Sequence, residues 1–318
     1  MAKGHEVIVN TRAEGDQSEY PWLWRIARRL LRWIGRERLP LILQKVLSVA
    51  QHTGHVTLYS QPEKPSSQVN GKMTVLCANL WHDWPRFKKL ETRLESFARL
   101  VETQDVDLLL VQEVARTRFI QVDTWLAERL GMAYVYTRAN GAENIGFEEG
   151  LGVFSRFPLH RLHLRQVSRN YNPFVRRLVL GVEVDTPCGE ILAFSVHLGL
   201  LRQHNAAQLY DLQHWIARLA QGRSVIIGGD FNSPEHSSHI RQVSHHWIDA
   251  YRQVHQSGLA ETHALHWPWG GAFLRHRLDY IFVQPGKPVL KIEDVRHLDS
   301  PDGPHSDHRA VLARFSSF

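Results

Sequence analysis

The chain has 318 residues, 43% hydrophobic and 22% charged, with a formal net charge of +6. That mixture excludes a disordered chain and a collagen-like repeat, and it suffices for one large core or two ordinary ones. Two cysteines, Cys77 and Cys188, supply neither a disulfide framework nor a zinc cage, and they fit a reducing compartment.

Met1 to Tyr20 reads as a polar tail carrying Glu6, Glu14, Asp16 and Glu19. It has no apolar stretch of leader length, so a cytoplasmic location is expected. No apolar run of about 18 residues predicts a membrane span. Over 21–50, Pro21 stands at a helix start, and Trp22, Leu23, Ile26, Ala27, Leu30, Trp33 and Ile34 recur at helical spacing. Arg25, Arg28, Arg29, Arg32 and Arg36 fall on the other side, and Arg38 and Lys45 follow. Only Glu37 opposes these seven basic groups, so this segment alone carries the net charge of +6 and the rest of the chain balances. A basic helix with tryptophans on its apolar face suits an anionic membrane surface, which would make the protein peripheral to the membrane. It equally suits a helix docked on the main domain. The Pro- and Ser-rich run over 60–72 predicts a linker, placed at 51–72, and 73–318 reads as one catalytic-sized domain.

Within that domain strand and helix signals alternate. Strands are predicted over Thr74–Asn79, Val106–Gln112, Leu151–Ser155, Leu178–Asp185, Glu190–Val196, Ser224–Gly228, Leu278–Val283 and Ala310–Phe315. Thr186-Pro-Cys-Gly189 reads as a hairpin turn. Leu90, Leu94, Phe97 and Val101 mark a helix over roughly 87–104, and Leu209, Leu212, Ile216 and Leu219 mark another. Adjacent hairpins and few helices predict mixed sheets with helices outside.

Polar groups cluster where these apolar strands end. Asn79 follows the first, Glu113 the second, and Asp230 and Asn232 follow Val225–Ile227. Asp307 and His308 precede Ala310–Leu312, while His197 and Asp279 lie in or beside strands. Taken singly, Asp230 reads as a turn residue, Glu113 as a helix cap, His197 as a buried core histidine and Asp307-His308 as a surface loop. Their joint occurrence in order points further. Ionised carboxylates at the mouth of a buried sheet are costly unless neutralised. Oxygen donors without cysteine favour Mg²⁺ or Mn²⁺ as the neutralising ion.

Asn79-Leu, Val111-Gln-Glu113, Ser195-Val-His-Leu198, Gly229-Asp-Phe-Asn232, Arg277-Leu-Asp-Tyr-Ile281 and Ser306-Asp-His308 together resemble the endonuclease/exonuclease/phosphatase superfamily. The resemblance spans about Met73 to Phe318 and implies a four-layer α/β sandwich, two mixed sheets face to face with helices on both outsides, as in deoxyribonuclease I. It implies a phosphoester hydrolase, either a phosphodiesterase or phosphatase, or a nuclease with the same site. By that resemblance Glu113 is the main metal ligand, with Asn79 and Asp307 beside it. Asp230 and Asn232 hold the nucleophilic water and a phosphate oxygen. His308 pairs with Asp279 as general base or as donor to developing charge, and His197 donates to the phosphate or the leaving oxygen. Glu149 is the candidate support for His197, and Arg177 the candidate phosphate contact, although a surface salt bridge would also account for that arginine. The run Asn79-Leu-Trp-His-Asp-Trp84 and the presence of His197 depart from abasic-site endonucleases. The segment Val196-His-Leu-Gly-Leu200 is closer to small bacterial metal-dependent hydrolases. A neutral catalytic domain lacks the basic stripe of a tight duplex binder. Two non-enzymatic readings are a binding module that kept the fold and a DNA binder working through the N-terminal helix. The first conflicts with every matched ligand position being filled.

Overall fold

The computed structural model describes residues 57–60, 71–142, 146–167, 176–266 and 272–317. The tail over 1–20 and the basic segment over 21–50 lie outside them. In chain order the elements begin with β1 (Thr57–Ser60), β2 (Lys72–Asn79), α1 (Leu90–Thr103), β3 (Leu108–Thr117), α2 (Val122–Leu130), β4 (Ala133–Ala142) and β5 (Phe147–Ser155). The middle of the chain supplies β6 (Leu159–Gln166), β7 (Leu178–Thr186), β8 (Gly189–His197), α3 (Arg202–Ala220) and β9 (Val225–Asp230). Then come α4 (Ser238–Val243), β10 (Ile248–Asp249), α5 (Ala250–Val254), β11 (His263–His266), β12 (Ala272–His276), β13 (Asp279–Gln284), β14 (Leu290–Leu298) and β15 (Ala310–Ser317).

Two large sheets result. One has seven strands in the order β1-β4-β5-β3-β2-β15-β14, and the other has six in the order β10-β13-β9-β8-β7-β6. Each is mixed: β2 and β3 run parallel in the first, β8 and β9 in the second, and the other neighbours are antiparallel.

Strand periodicity explains the layers. In β2, Met73, Val75 and Cys77 enter the core between the sheets, while Leu76 and Ala78 face outward beneath α1 and α2. In β3, Leu108 and Leu110 point inward, Leu109 and Val111 outward. The second sheet repeats this, with Ala193 and Ile226 inward and Phe194 and Ile227 under α3 and α4. Strands buried on both faces read as continuous apolar runs, which is why they stood out in the sequence. Burying each such aliphatic side chain contributes about 1.5–3 kcal/mol. The product is the four-layer α/β sandwich expected.

Two differences from expectation have local causes. Helix α1 starts at Leu90 because Phe87 and Lys89 hold left-handed φ angles of 48° and 52°, which no helix continues. Within 51–72, expected as a linker, the described residues Thr57–Ser60 form β1 and Lys72 opens β2. Thr57–Ser60 pairs antiparallel with β4, where an open sheet edge offers unpaired backbone groups.

The sheets approach closely where Gly228 sits. A Cβ there would lie 2.7 Å from Leu110 Cδ1 and 3.2 Å from Cys77 Cβ. Nearby, Ser195 Oγ donates to the Val111 carbonyl at 2.9 Å and accepts from Gln112 Nε2 at 3.0 Å, tying one sheet to the other. This seam fixes the relative height of the strand ends that carry the polar clusters.

Candidate active site

β2 and β3 in one sheet, and β8 and β9 in the other, present their C-terminal ends on the same side of the seam. Asn79 ends β2, His197 ends β8 and Asp230 ends β9, with His197 and Asp230 in register. The Asn79 side chain spans the gap. Its Nδ2 donates to Glu113 Oε1 at 3.3 Å and to Asp230 Oδ2 at 3.2 Å, and its Oδ1 accepts from the Trp81 backbone N–H.

Glu113 does not follow the end of its strand, as the sequence suggested; β3 runs on to Thr117. Instead the register against β5 slips between Val111 and Val114, and Glu113 adopts a left-handed φ of 54°. This bulge re-aims one side chain out of the pleat and into the cleft. Asn232 is held likewise at φ 50°, with its N–H on Asp230 Oδ1 and its Nδ2 on the Leu198 carbonyl. From α3, Asn205 Nδ2 donates to the carbonyls of Gly199 and Phe231, and Gln208 Oε1 accepts from the Gly199 N–H. The helix thereby clamps the loops that follow His197 and Asp230.

Asp279 opens β13 and is fully buried. Its Oδ2 accepts from Thr262 Oγ1 at 2.6 Å and lies 2.8 Å from His308 Nδ1, while its Oδ1 has no hydrogen-bond partner. The ring of His263 sits 4.5 Å from that of His308. Asp307, next in chain to His308, completes this side.

On the opposite wall, sequence reasoning named Glu149 and Arg177 but missed His82. His82, three residues beyond Asn79, brings Nε2 to 2.7 Å from Glu149 Oε2 and 3.3 Å from Glu113 Oε2. Its Nδ1 accepts from the Trp84 N–H at 2.9 Å, so Nε2 carries the hydrogen. In this arrangement His82 acts as a donor that steadies two carboxylates. Glu149 also accepts from Asn140 Nδ2 at 2.9 Å. Its hydrogen-bond partners are thus His82 and Asn140, and it acts on His197, which it was expected to support, through its charge. The only sequence signal for His82 was a histidine just past a strand-terminal asparagine. Arg177 lines the same cleft with Arg176, Asn140, Glu149 and His197, and among the described residues it makes no ion pair. The surface salt bridge is not what holds it.

Electrostatics follow burial. Desolvation and the charge of Asp279 push the Asp230 carboxyl well up from the ordinary carboxylate range. Burial also raises Asp307, with Glu113 adding to the effect. Burial opposes charge on His308, yet Asp279, Asp230 and Asp307 around it lift the imidazole to about 10. Burial and Arg177 hold His197 well below the usual histidine value, so its ring is neutral. Burial works against the charge on Glu149, but the hydrogen bond from His82 and the fields of His82, His197 and Arg177 keep it ionised.

The donor set suits a hard divalent cation. Glu113 and Asp307 offer carboxylate oxygens beside the Asn79 amide, the Cys77 thiol nearby is buried against Gln112, and burial raises the crowded Asp307 carboxyl with Glu113 adding to it. The sequence-predicted residues thus meet in one cleft: Asn79, Glu113, His197, Asp230, Asn232, Asp279, Asp307 and His308 line or support it.

A family model described as the endonuclease/exonuclease/phosphatase family matches residues 76–308. The chain belongs to that family. Its members hydrolyse phosphoesters. Among curated proteins it is 28% identical over 231 residues to "Uncharacterized protein YbhP" of Escherichia coli K12 and of Shigella flexneri, covering 67% of this chain and 84% of theirs. Among solved structures it resembles a family member from Leptotrichia buccalis (TM-score 0.65, 17% identity, 77% of this chain and 99% of that one). It also resembles a humanised D. rerio TDP2 (TM-score 0.62, 16% identity, 78% and 100%). A third is a Bacteroides thetaiotaomicron mannosyl-6-phosphatase (TM-score 0.59, 20% identity, 76% and 99%). At these identities the structures speak for the fold.

Proposed function

We propose that the protein is a divalent-cation-dependent phosphoesterase that hydrolyses a phosphodiester or phosphomonoester by in-line attack of water. The observation that carries this reading is the buried Asp279–His308 pair opening onto Asp230, itself bridged by Asn79 to Glu113. Glu113, Asn79 and Asp307 would hold the cation, Mg²⁺ or Mn²⁺. When bound, the cation neutralises phosphate charge and polarises the P–O bond.

The remaining roles follow from protonation. Asp230, raised by burial toward neutrality, accepts the proton of the attacking water. Asn232 and Asn79 orient that water and a phosphate oxygen. His308, held cationic by Asp279, donates to the charge that develops at phosphorus. His197, neutral, donates to a second phosphate oxygen. The new bond joins water oxygen to phosphorus as the ester oxygen departs, so no covalent enzyme intermediate forms.

The test is a turnover screen with p-nitrophenyl phosphate, bis-p-nitrophenyl phosphate, plasmid DNA, RNA and phospholipid vesicles. Each is run with Mg²⁺, Mn²⁺ or chelator, on the intact protein and on Glu113→Ala. Cation-dependent hydrolysis lost in the variant is expected. Hydrolysis unaffected by both chelation and Glu113→Ala, or no hydrolysis of any of these, overturns the proposal.

A further inference from the structure

Two arginines stand in the cleft that the roles above leave unused. Arg176 and Arg177 precede β7, in the six-stranded sheet, and both line the cleft beside Glu149 and His197. Asn140, on β4 of the other sheet, pins them there. Its Oδ1 accepts from the Arg176 N–H at 2.9 Å, and its Nδ2 donates to the Arg176 carbonyl at 3.3 Å and to Glu149 Oε1 at 2.9 Å. One side chain thus ties the arginine segment to the wall of Glu149. Neither guanidinium has an ion-pair partner among the described residues, whereas the neighbouring Arg138 is matched by Glu148 at 2.5 Å. Burial, with Arg138 adding to it, lowers Arg176 to about 10, the mark of a cation short of counter-charge.

Arginines with unfilled donor forks, lining a cleft, are suited to phosphate oxygens. A phosphodiester brings one negative charge, which His308 and a cation at Glu113 already face. A phosphomonoester near neutral pH brings about 1.5–2. We propose that Arg176 and Arg177 form a subsite for negative charge beyond that of a diester. The favoured substrate is then a phosphomonoester, or a diester carrying a second phosphate beside the scissile one. This rests on the phosphoesterase reading and narrows its substrate class.

The experiment compares kcat/KM for three p-nitrophenyl esters: the phosphomonoester, the methyl phosphodiester, and a diester whose second alcohol bears a phosphate. Wild-type protein is set against Arg176→Gln and Arg176→Lys. A preference of at least about tenfold for one of the two more highly charged esters is expected, and which one it is identifies the source of the extra charge. Arg176→Gln collapses that preference, chiefly through KM, and Arg176→Lys retains part of it. Equal efficiency on all three esters overturns the subsite, as does a preference untouched by Arg176→Gln. Calorimetry with inorganic phosphate runs alongside. If no ester is turned over, the phosphoesterase reading fails; phosphate binding weakened by Arg176→Gln still supports the subsite, and binding equal in both proteins rejects it.

Discussion

Nδ1 of His308 lies 2.8 Å from Oδ2 of Asp279, although 29 positions separate them in the chain. Asp279 opens β13 of the six-stranded sheet and His308 leads into β15 of the seven-stranded one, so the pair exists only when the sheets have docked. A carboxylate this buried, sharing Oδ2 between an imidazole and Thr262, fixes both the tautomer and the charge of the histidine.

Separating that pair has a defined cost. Asp279→Asn and His308→Gln are each expected to lower kcat by about 10²–10⁴-fold, the range of one positioned proton-handling group. The double variant is expected to lose little more than either alone, because residues that act as a unit are not additive. Steady-state kinetics on the best ester from the screen measures this. A multiplicative loss would mean that the two act separately.

Asn79 donates one amide group to two carboxylates, Glu113 and Asp230. Asn79→Asp replaces that donor with a carboxylate set between the other two. Its melting temperature is expected to fall below wild type at pH 8 and to recover toward it at pH 5, where added protons relieve the repulsion. Mg²⁺ or Mn²⁺ at pH 8 should narrow the gap as well. Differential scanning fluorimetry over this grid reads both effects, and a gap independent of pH and cation would refute the charge argument.

Acid sensitivity is expected from a histidine away from the cleft. Burial, with Arg277 and Arg309 nearby, lowers His297 to about 3, and its ring stacks on Tyr251 at 4.1 Å. Between about 6.5, the ordinary histidine value, and 3 the unfolded chain binds a proton that the folded one refuses, so stability falls as pH falls through this window. The urea midpoint of wild type should drop from pH 7 to pH 4. His297→Gln, less stable at pH 7, should lose less over the same interval. Parallel curves for the two proteins would contradict this.

The two glycines before Asp230 differ in what surrounds them. A Cβ at Gly229 would stand 2.0 Å from the Val196 carbonyl oxygen, a backbone atom that cannot yield without parting β8 from β9. At Gly228 it would meet chiefly the end of the Leu110 side chain. Gly229→Ala is therefore expected to lower the melting temperature by about 5 °C or more, and by more than Gly228→Ala, given overpacking costs of about 1–3 kcal/mol. Calorimetric melts rank the two, and the reverse order would show that the sheet seam is the less tolerant contact.

Legibility in the sequence tracked burial on two faces. β2, β3, β8 and β9 were readable because both sides of each strand are apolar, and Asn79, Asp230 and His308 were readable because they border such runs. β6 and β14 escaped notice. Their exposed faces carry His160, Arg161, Lys291, Glu293 and Arg296, which break the apolar pattern. β1 was hidden because four residues that pair with a sheet edge need no pattern of their own. His82, Asn140 and Arg176 were invisible for another reason. Their partners are set by the β4–β5 register and by contacts between sheets, which no local spacing encodes.

The bulge at Glu113 also sets the phase of everything beyond it in β3. Upstream, odd-numbered Leu109 and Val111 lie under the helices; downstream, that layer receives the even-numbered Val114. Losing one residue from the bulge would exchange the two faces of the strand's last third. Arg116, whose guanidinium reaches Asp123 at the start of α2, would then be turned to the opposite side of the sheet. A single deletion would thus both remove a carboxylate from the cleft and unfasten a helix in the layer behind it.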